Sequence, residues 1–286
     1  MALQIRAFFH QPTNSVSYLV WDGDTRRAAV IDAVLDYDGP SARVSTGFVD
    51  GIAAAIEAER LTLDWVLETH THADHMSGAH VLHERFGAPV VIGAGTDAVQ
   101  RVFKDIYDLD DLTADGSAFD RLIGDGERLP LGGLAIEALT TPGHTPAFVS
   151  YRIADAVFVG DTLLMPDYGT ARADFPGGDA AALYRSIRRL LALPPETRMF
   201  VGHDYKAEGR DRFAWETTVG AQRSGNVHVH DGVTEAAFVE LRTERDRTLT
   251  LPALMLPALQ VNVRGGRLPP AAANGTRYLK IPLNRF

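Results

Sequence analysis

Thr69-His70-Thr71-His72-Ala73-Asp74-His75 is the stretch on which the reading of this chain turns. It sets three imidazoles and a carboxylate within six residues, directly after the apolar run Trp65-Val66-Leu67. A strand that ends in such a turn aims several ligands at one point. Imidazole and carboxylate together suit Zn, Fe or Mn, whereas Ca or Mg would call for oxygen ligands alone. A single histidine is ordinarily a solvated or core side chain. The H-x-H-x-D-H spacing behind a strand instead points to a metal site.

The bulk properties narrow the setting. A chain of 286 residues can bury a large core, and 45% hydrophobic with 23% charged residues is ordinary for a globular protein. No apolar stretch approaches the roughly 20 residues needed to span a bilayer. Ala2-Leu3-Gln4-Ile5-Arg6 lacks the basic start and long apolar middle of a signal peptide, so a cytoplasmic location without a membrane partner is expected. Cysteine is absent, which excludes disulfides, Cys-ligated zinc, Fe–S clusters and a cysteine nucleophile. A net charge of −9 opposes nucleic-acid binding, which needs a basic face. Acids crowd residues 105–127, whereas Arg264, Arg267, Arg277, Lys280 and Arg285 make the C-terminal stretch basic. That stretch reads equally as a solvated surface or as a patch for a small anion.

Outward from the histidine cluster, the apolar runs 5–9, 16–21 and 28–31 are separated by turn residues and predict an antiparallel meander. Helical spacing at 49–59, a strand at 63–67, a helix at 79–86 and a strand at 90–92 predict an α/β layer arrangement. Strands are expected at 134–139, 148–153 and 157–159. A helix over 179–192 should follow, capped by Asp179 and stopped before Pro194-Pro195, and then a strand at 199–201. Two helices near 210–222 and 234–247 and a Pro-rich tail complete the chain. Candidate ligands run from residue 70 to 203, so one domain must hold them. The expected organisation is a single domain over 1–286, with a core at 1–205 and a C-terminal extension at 206–286.

Three further strand ends deliver a polar residue just after a glycine: Thr141-Pro142-Gly143-His144-Thr145, Val159-Gly160-Asp161-Thr162 and Val201-Gly202-His203-Asp204-Tyr205. Each is weak alone. The ordered set His70, His72, Asp74, His75, His144, Asp161 and His203 resembles the metallo-β-lactamase fold superfamily. That resemblance implies a four-layer αββα sandwich, of mixed α/β class, carrying a C-terminal helical extension. In the family one metal site corresponds to His70, His72 and His144, a second to Asp74, His75 and His203, and Asp161 bridges them. Glu68-Thr-His-Thr-His-Ala-Asp-His-Met-Ser-Gly-Ala, Pro142-Gly-His-Thr-Pro and Gly202-His-Asp-Tyr resemble the persulfide (sulfur) dioxygenases, relatives of glyoxalase II. The run from Gly160 to Gly178 and the tail Leu256-Pro-Ala-Leu-Gln-Val-Asn-Val-Arg-Gly-Gly resemble the bacterial β-lactamase hydrolase-like branch. Ala173 departs from it, standing where that branch implies a cysteine.

The resemblance implies one Fe(II) per chain on His70, His144 and Asp161, a 2-His-1-carboxylate facial triad with open positions for reactants. The implied reaction oxidises glutathione persulfide with O2 and water to sulfite and glutathione, as in sulfide detoxification. His72, Asp74, His75 and His203 would then orient ligands or water. The alternative keeps them as ligands of a second metal, two Zn or Fe ions activating a hydroxide for thioester hydrolysis of glyoxalase II type. Both readings stay open on the sequence, with a non-catalytic metal- or thiol-binding module as a third. Tyr205 matches a glutathione-contacting tyrosine of glyoxalase II. Arg172 and Arg264 are candidates for binding glutathione carboxylates, although Asp174 offers Arg172 a purely structural ion pair. A homo-oligomer is compatible with all of this.

Overall fold

The central strands of this protein are buried on both faces, which demands cover on both sides of each large sheet. The computed structural model describes residues 2–285; Met1 and Phe286, the ends of the expected domain span, lie outside the described residues. Strands β1 (Leu3–His10), β2 (Ser15–Asp22), β3 (Arg27–Ile31), β6 (Thr62–Leu67), β8 (Val90–Gly93) and β9 (Arg121–Ile123) form one sheet in that order. The expected meander β1-β2-β3 is antiparallel, and the remaining neighbours are parallel. A second sheet holds β10 (Arg128–Leu131), β11 (Leu134–Thr140), β12 (Val149–Ile153), β13 (Ala156–Gly160), β14 (Arg198–Val201) and β15 (Glu216–Thr218), antiparallel except between β13 and β14. Strands β4 (Val34–Asp38), β5 (Arg43–Ser45) and β7 (Met76–Ser77) make a small third sheet.

Side-chain alternation builds the layers. Ala29 and Ile31 of β3 join Ala156 and Phe158 of β13 in a core between the two large sheets. Ala28 and Val30 face the opposite way, into a core shared with α1 (Gly47–Ala58), α2 (Ala79–Phe86) and α7 (Met255–Asn262). Val157 and Val159 likewise face outward, against α4 (Ala180–Leu191) and α6 (Glu235–Asp246). The result is the expected helix-sheet-sheet-helix sandwich of the metallo-β-lactamase fold. Among the described residues no helix is long and apolar enough to cross a membrane.

Local signals mostly act as expected. Asp179 caps α4, its Oδ1 accepting from the Ala182 N–H at 2.7 Å. The helix expected over 210–222 does not form. Arg210 is clamped to Asp167, Asp204 and the Arg212 carbonyl, and 216–218 pairs with β14 as an edge strand. The helix there is α5 (Val219–Gly225), capped by the Thr218 hydroxyl. Helix α3 (Thr96–Tyr107) is an addition to the expected elements, with Val99, Phe103 and Tyr107 buried along one helical face.

Helix α7, inside the Pro-rich tail, reaches back to the histidine loop. Buried Asn262 donates from Nδ2 to the His72 and His75 carbonyls at 2.8 and 2.7 Å, and accepts from the Ser77 N–H at 2.8 Å. Asn262→Ala would strand three buried backbone groups, each worth about 1–3 kcal/mol. The expected loss is about 3 kcal/mol of unfolding free energy or more, with weaker metal retention. Denaturant unfolding with metal analysis checks this, and an unchanged midpoint contradicts it.

Candidate metal centre

Four strand ends converge on one point: the turn after β6, and the turns after β11, β13 and β14, bring in His70, His144, Asp161 and His203, all buried. Two glycines make the approach feasible. Gly143 holds φ +140° and a Cβ there would lie 2.3 Å from the Leu183 backbone; a Cβ on Gly202 would lie 2.7 Å from Asp161 Oδ1.

Hydrogen bonds fix which imidazole nitrogens stay bare. Buried Asp32 accepts from the Thr69 N–H at 2.7 Å and the Thr69 hydroxyl at 2.9 Å. With its proton so committed, Thr69 Oγ1 accepts from His70 Nδ1 at 3.0 Å. His70 Nε2 is thereby left with a lone pair, buried and without a hydrogen-bond partner, 3.7 Å from Asp161 Oδ2. His144 Nδ1 donates to the Arg172 carbonyl at 2.7 Å, and its Nε2 lies 3.7 Å from the same Asp161 oxygen. Ligand atoms of His70, His144 and Asp161 all lie within 4.8 Å of one another. Two bare imidazole nitrogens and a carboxylate oxygen at this spacing fit a transition-metal ion or zinc. Phe148 stacks on His70 at 4.5 Å and walls the group off.

The remaining candidates sit differently. His203 meets a carboxylate at each nitrogen: Nδ1 to Asp161 Oδ1 and Nε2 to Asp74 Oδ2, both 2.6 Å. His72 turns Nε2 toward Asp32 and Glu68, 3.1 Å from each, and leaves Nδ1 buried and unpartnered. His75 is anchored through Nδ1 to the Met76 carbonyl. Ligand atoms of His72, Asp74 and His75 also converge, as do those of Asp74, Asp161 and His203. Burial opposes the charge on His72, but Asp32 and Glu68 outweigh it and raise its pKa well above the ordinary value. Asp161 and Asp74 do the same for His203 against burial. Burial and the neighbouring His72 hold His70 well below its ordinary pKa, which suits a neutral ligand.

Above the centre opens a cleft of about 460 Å³. Tyr205 stands on its rim, 43% exposed, its ring parallel to that of His203 at 5.7 Å. Arg172 lines the wall, but its guanidinium forks onto Asp174 at 2.6 and 2.8 Å and donates to the Thr250 carbonyl at 2.7 Å. Its donors serve the fold. Arg264 does not line this cleft; it is buried against Asp111 and the Gln260 carbonyl, which corrects its expected place beside the substrate. Ala173 is buried next to Arg172, its N–H donating to Asp246. Sequence reasoning passed over Asp32, Glu68 and Arg245. Arg245 lines the cleft, is exposed, and has no carboxylate partner among the described residues. Its signal is the pair Arg242 and Arg245 on one helix: Arg242 is buried on Asp246 and the Thr170 carbonyl, leaving the second arginine outside.

Comparison with known proteins agrees with this geometry. The metallo-beta-lactamase superfamily pattern matches residues 10–203. A "Beta-lactamase hydrolase-like protein" of Xylella fastidiosa (strain Temecula1) is 50% identical over 281 residues, 98% of this chain. The chain spans 65% of that relative's length. A hydroxyacylglutathione hydrolase of Brucella ovis is 30% identical over 214 residues, covering 74% of this chain and 70% of the relative. Among solved structures, ETHE1 from Myxococcus xanthus superposes with a TM-score of 0.75 at 31% identity, covering 92% of this chain and all of the other.

The histidine environment sets an acid response. Burial, then the His72 charge, lowers His75 to about 4; burial, then Arg242, lowers His228 to about 4. Unfolded imidazoles bind protons near 6.5, so from about pH 6.5 to about 4 the unfolded state takes up more protons and stability falls. His72 and His203, held high, have given their full stabilisation by pH 6.5 and add nothing below it. The unfolding midpoint of metal-free protein should therefore drop across this window, and His228→Gln should flatten the slope. Equal slopes in both proteins would contradict the assignment to His228.

Proposed function

This chain belongs to the metallo-beta-lactamase superfamily, and we propose that within it the protein is a persulfide dioxygenase oxidising glutathione persulfide with O2. One observation carries the proposal: His70 Nε2, His144 Nε2 and Asp161 Oδ2 face one another bare, while His72 Nε2 and both nitrogens of His203 are tied to carboxylates. Two imidazoles, each with a bare nitrogen, and one carboxylate form a single ligand set for one iron(II), with His72, Asp74, His75 and His203 serving it from outside. The motif resemblance to persulfide dioxygenases and the ETHE1 superposition support the same reading.

Bound there, iron(II) would supply the redox chemistry by which ground-state O2 reacts with sulfur. The protein's own groups do the rest. Asp32 and Thr69 hold the His70 tautomer, and the Arg172 carbonyl holds that of His144. Phe148 and Phe175 flank the two rings and limit water. Arg245 on α6 offers a guanidinium to a glutathione carboxylate, and Tyr205 offers a hydroxyl at the rim. Asn262 ties α7 to the ligand loop, which supports one domain over the whole chain.

A second reading, a dinuclear thioester hydrolase, has its own support. His72 Nδ1 is buried and unpartnered, His72 converges with Asp74 and His75, and a relative bears the name hydroxyacylglutathione hydrolase. Metal analysis of protein purified with iron available separates the two. We expect about one iron per chain and O2 uptake with glutathione persulfide, most iron lost in Asp161→Ala, and a milder, roughly 10–100-fold effect in His203→Ala. Two metals per chain, with thioester hydrolysis and no O2 uptake, would favour the hydrolase. Arg245→Ala should raise KM about 10-fold or more at constant iron, the loss of one charge-assisted hydrogen bond. An unaltered KM would remove Arg245 from the substrate site.

A further inference from the structure

Beside the metal cleft lies a second one of about 610 Å³, which shares Asp74 and Tyr205 with the first and is lined also by His10, Thr13 and Asp36. Between this cleft and the centre runs an unbroken series of short side-chain hydrogen bonds. Asp36 Oδ1 meets His10 Nε2 at 3.1 Å, and His10 Nδ1 meets Thr13 Oγ1 at 2.7 Å. Thr13 Oγ1 meets Ser15 Oγ at 2.7 Å, and Ser15 Oγ meets His203 Nε2 at 3.1 Å. The same serine is 3.4 Å from Asp74 Oδ2. His203 in turn touches Asp161. None of these residues outside the centre is explained by metal binding.

We propose that Ser15, Thr13 and His10 form a proton path from the metal centre to the second cleft, with His10 as the outer acceptor. The direction follows from the partners. An ionised Asp36 only accepts, so a neutral His10 carries its proton on Nε2 and presents a lone pair at Nδ1. Thr13 then donates to His10 and Ser15 to Thr13, while the His203 Nε2–H is shared between Asp74 at 2.6 Å and a lone pair of the Ser15 hydroxyl at 3.1 Å. Every hydroxyl points outward from the centre. The groups facing His10 are Asp36, Thr13 and the edge of Phe48, so a proton arriving at Nδ1 meets a carboxylate on the far side of the ring. His10 itself is buried, while the Asp36 side chain is 28% exposed to the second cleft.

Resting on the persulfide dioxygenase reading, the path has a defined load. R–S–SH, O2 and H2O give R–SH, SO3²⁻ and two H⁺; the four electrons leaving the sulfur pair reduce the two oxygen atoms of O2, which end in sulfite with the oxygen of water. A substrate entering as R–S–SH leaves two protons and one entering as R–S–S⁻ leaves one, and whatever is not carried off on the sulfite must leave the centre by another route. A substrate seated in the first cleft would fill that side of the centre, whereas the path opens onto the second.

The test has two arms. In metal-free protein labelled with ¹⁵N-histidine, long-range NMR at mildly alkaline pH should find His10 protonated on Nε2 with Nδ1 as acceptor; a proton on Nδ1 reverses the chain and overturns the proposal. In the iron-loaded enzyme, His10→Ala, Thr13→Val and Ser15→Ala should lower kcat for glutathione persulfide about 10–100-fold at unchanged KM and iron content. The solvent isotope effect should rise, imidazole should rescue His10→Ala, and Thr13→Ser should recover the loss seen in Thr13→Val. If wild-type enzyme consumes O2 and these variants keep its kcat and isotope effect, the path is wrong. If wild-type enzyme consumes no O2, the dioxygenase reading fails and the NMR arm alone decides the path.

Discussion

The centre depends on Asp32, a buried carboxylate at the end of β3 in the left-handed backbone region (φ +51°). Burying a carboxylate is costly unless its lone pairs are filled. Here they accept from the Thr69 backbone, the Thr69 hydroxyl and the His72 ring. Those contacts do two jobs. They orient the Thr69 hydroxyl so that His70 exposes Nε2, and they hold His72 Nε2 on carboxylates. A ligand loop with this sequence but without Asp32 would have no defined tautomer at His70.

The electrostatics extend the same logic. Asp32, Glu68, Asp74 and Asp161 are acids drawn into one buried region, and His72 and His203, charged by their pairing with them, offset the repulsion. His70 stays neutral in the midst of this, through burial and the His72 charge. The division between charged and neutral histidines is therefore a property of their partners, since the rings are chemically identical.

Much of this was legible in the sequence, and the exceptions have physical causes. H-x-H-x-D-H and the three glycine turns mark strand ends because ligand chemistry there requires particular residue types at particular spacing. The layered fold follows from apolar runs that need cover on both sides. Asp32 carried no signal, because an acid after a strand looks like any turn residue; only its position against Thr69, 37 residues on, gives it a role. The 210–222 segment has helical character locally, but the Arg210 ion pairs and the β14 pairing win. Arginines were the hardest to place. Arg172, Arg242, Arg245 and Arg264 are alike in sequence, and which of them a carboxylate already occupies is settled by contacts with residues such as Asp111, 153 positions from Arg264. Arg172 was nearest to the ligands in sequence and proves to be tied to Asp174.

On the reading proposed above, one metal ion sits on the bare nitrogens of His70 and His144 and on Asp161, while His72, Asp74, His75 and His203 keep their hydrogen bonds. Crystals of protein grown with iron available, measured on both sides of the iron absorption edge, test it most directly. A single anomalous peak is expected about 2.0–2.2 Å from His70 Nε2, His144 Nε2 and Asp161 Oδ2, with His203 still hydrogen-bonded to Asp74. A second peak of comparable height among Asp74, His75 and His203 would contradict it.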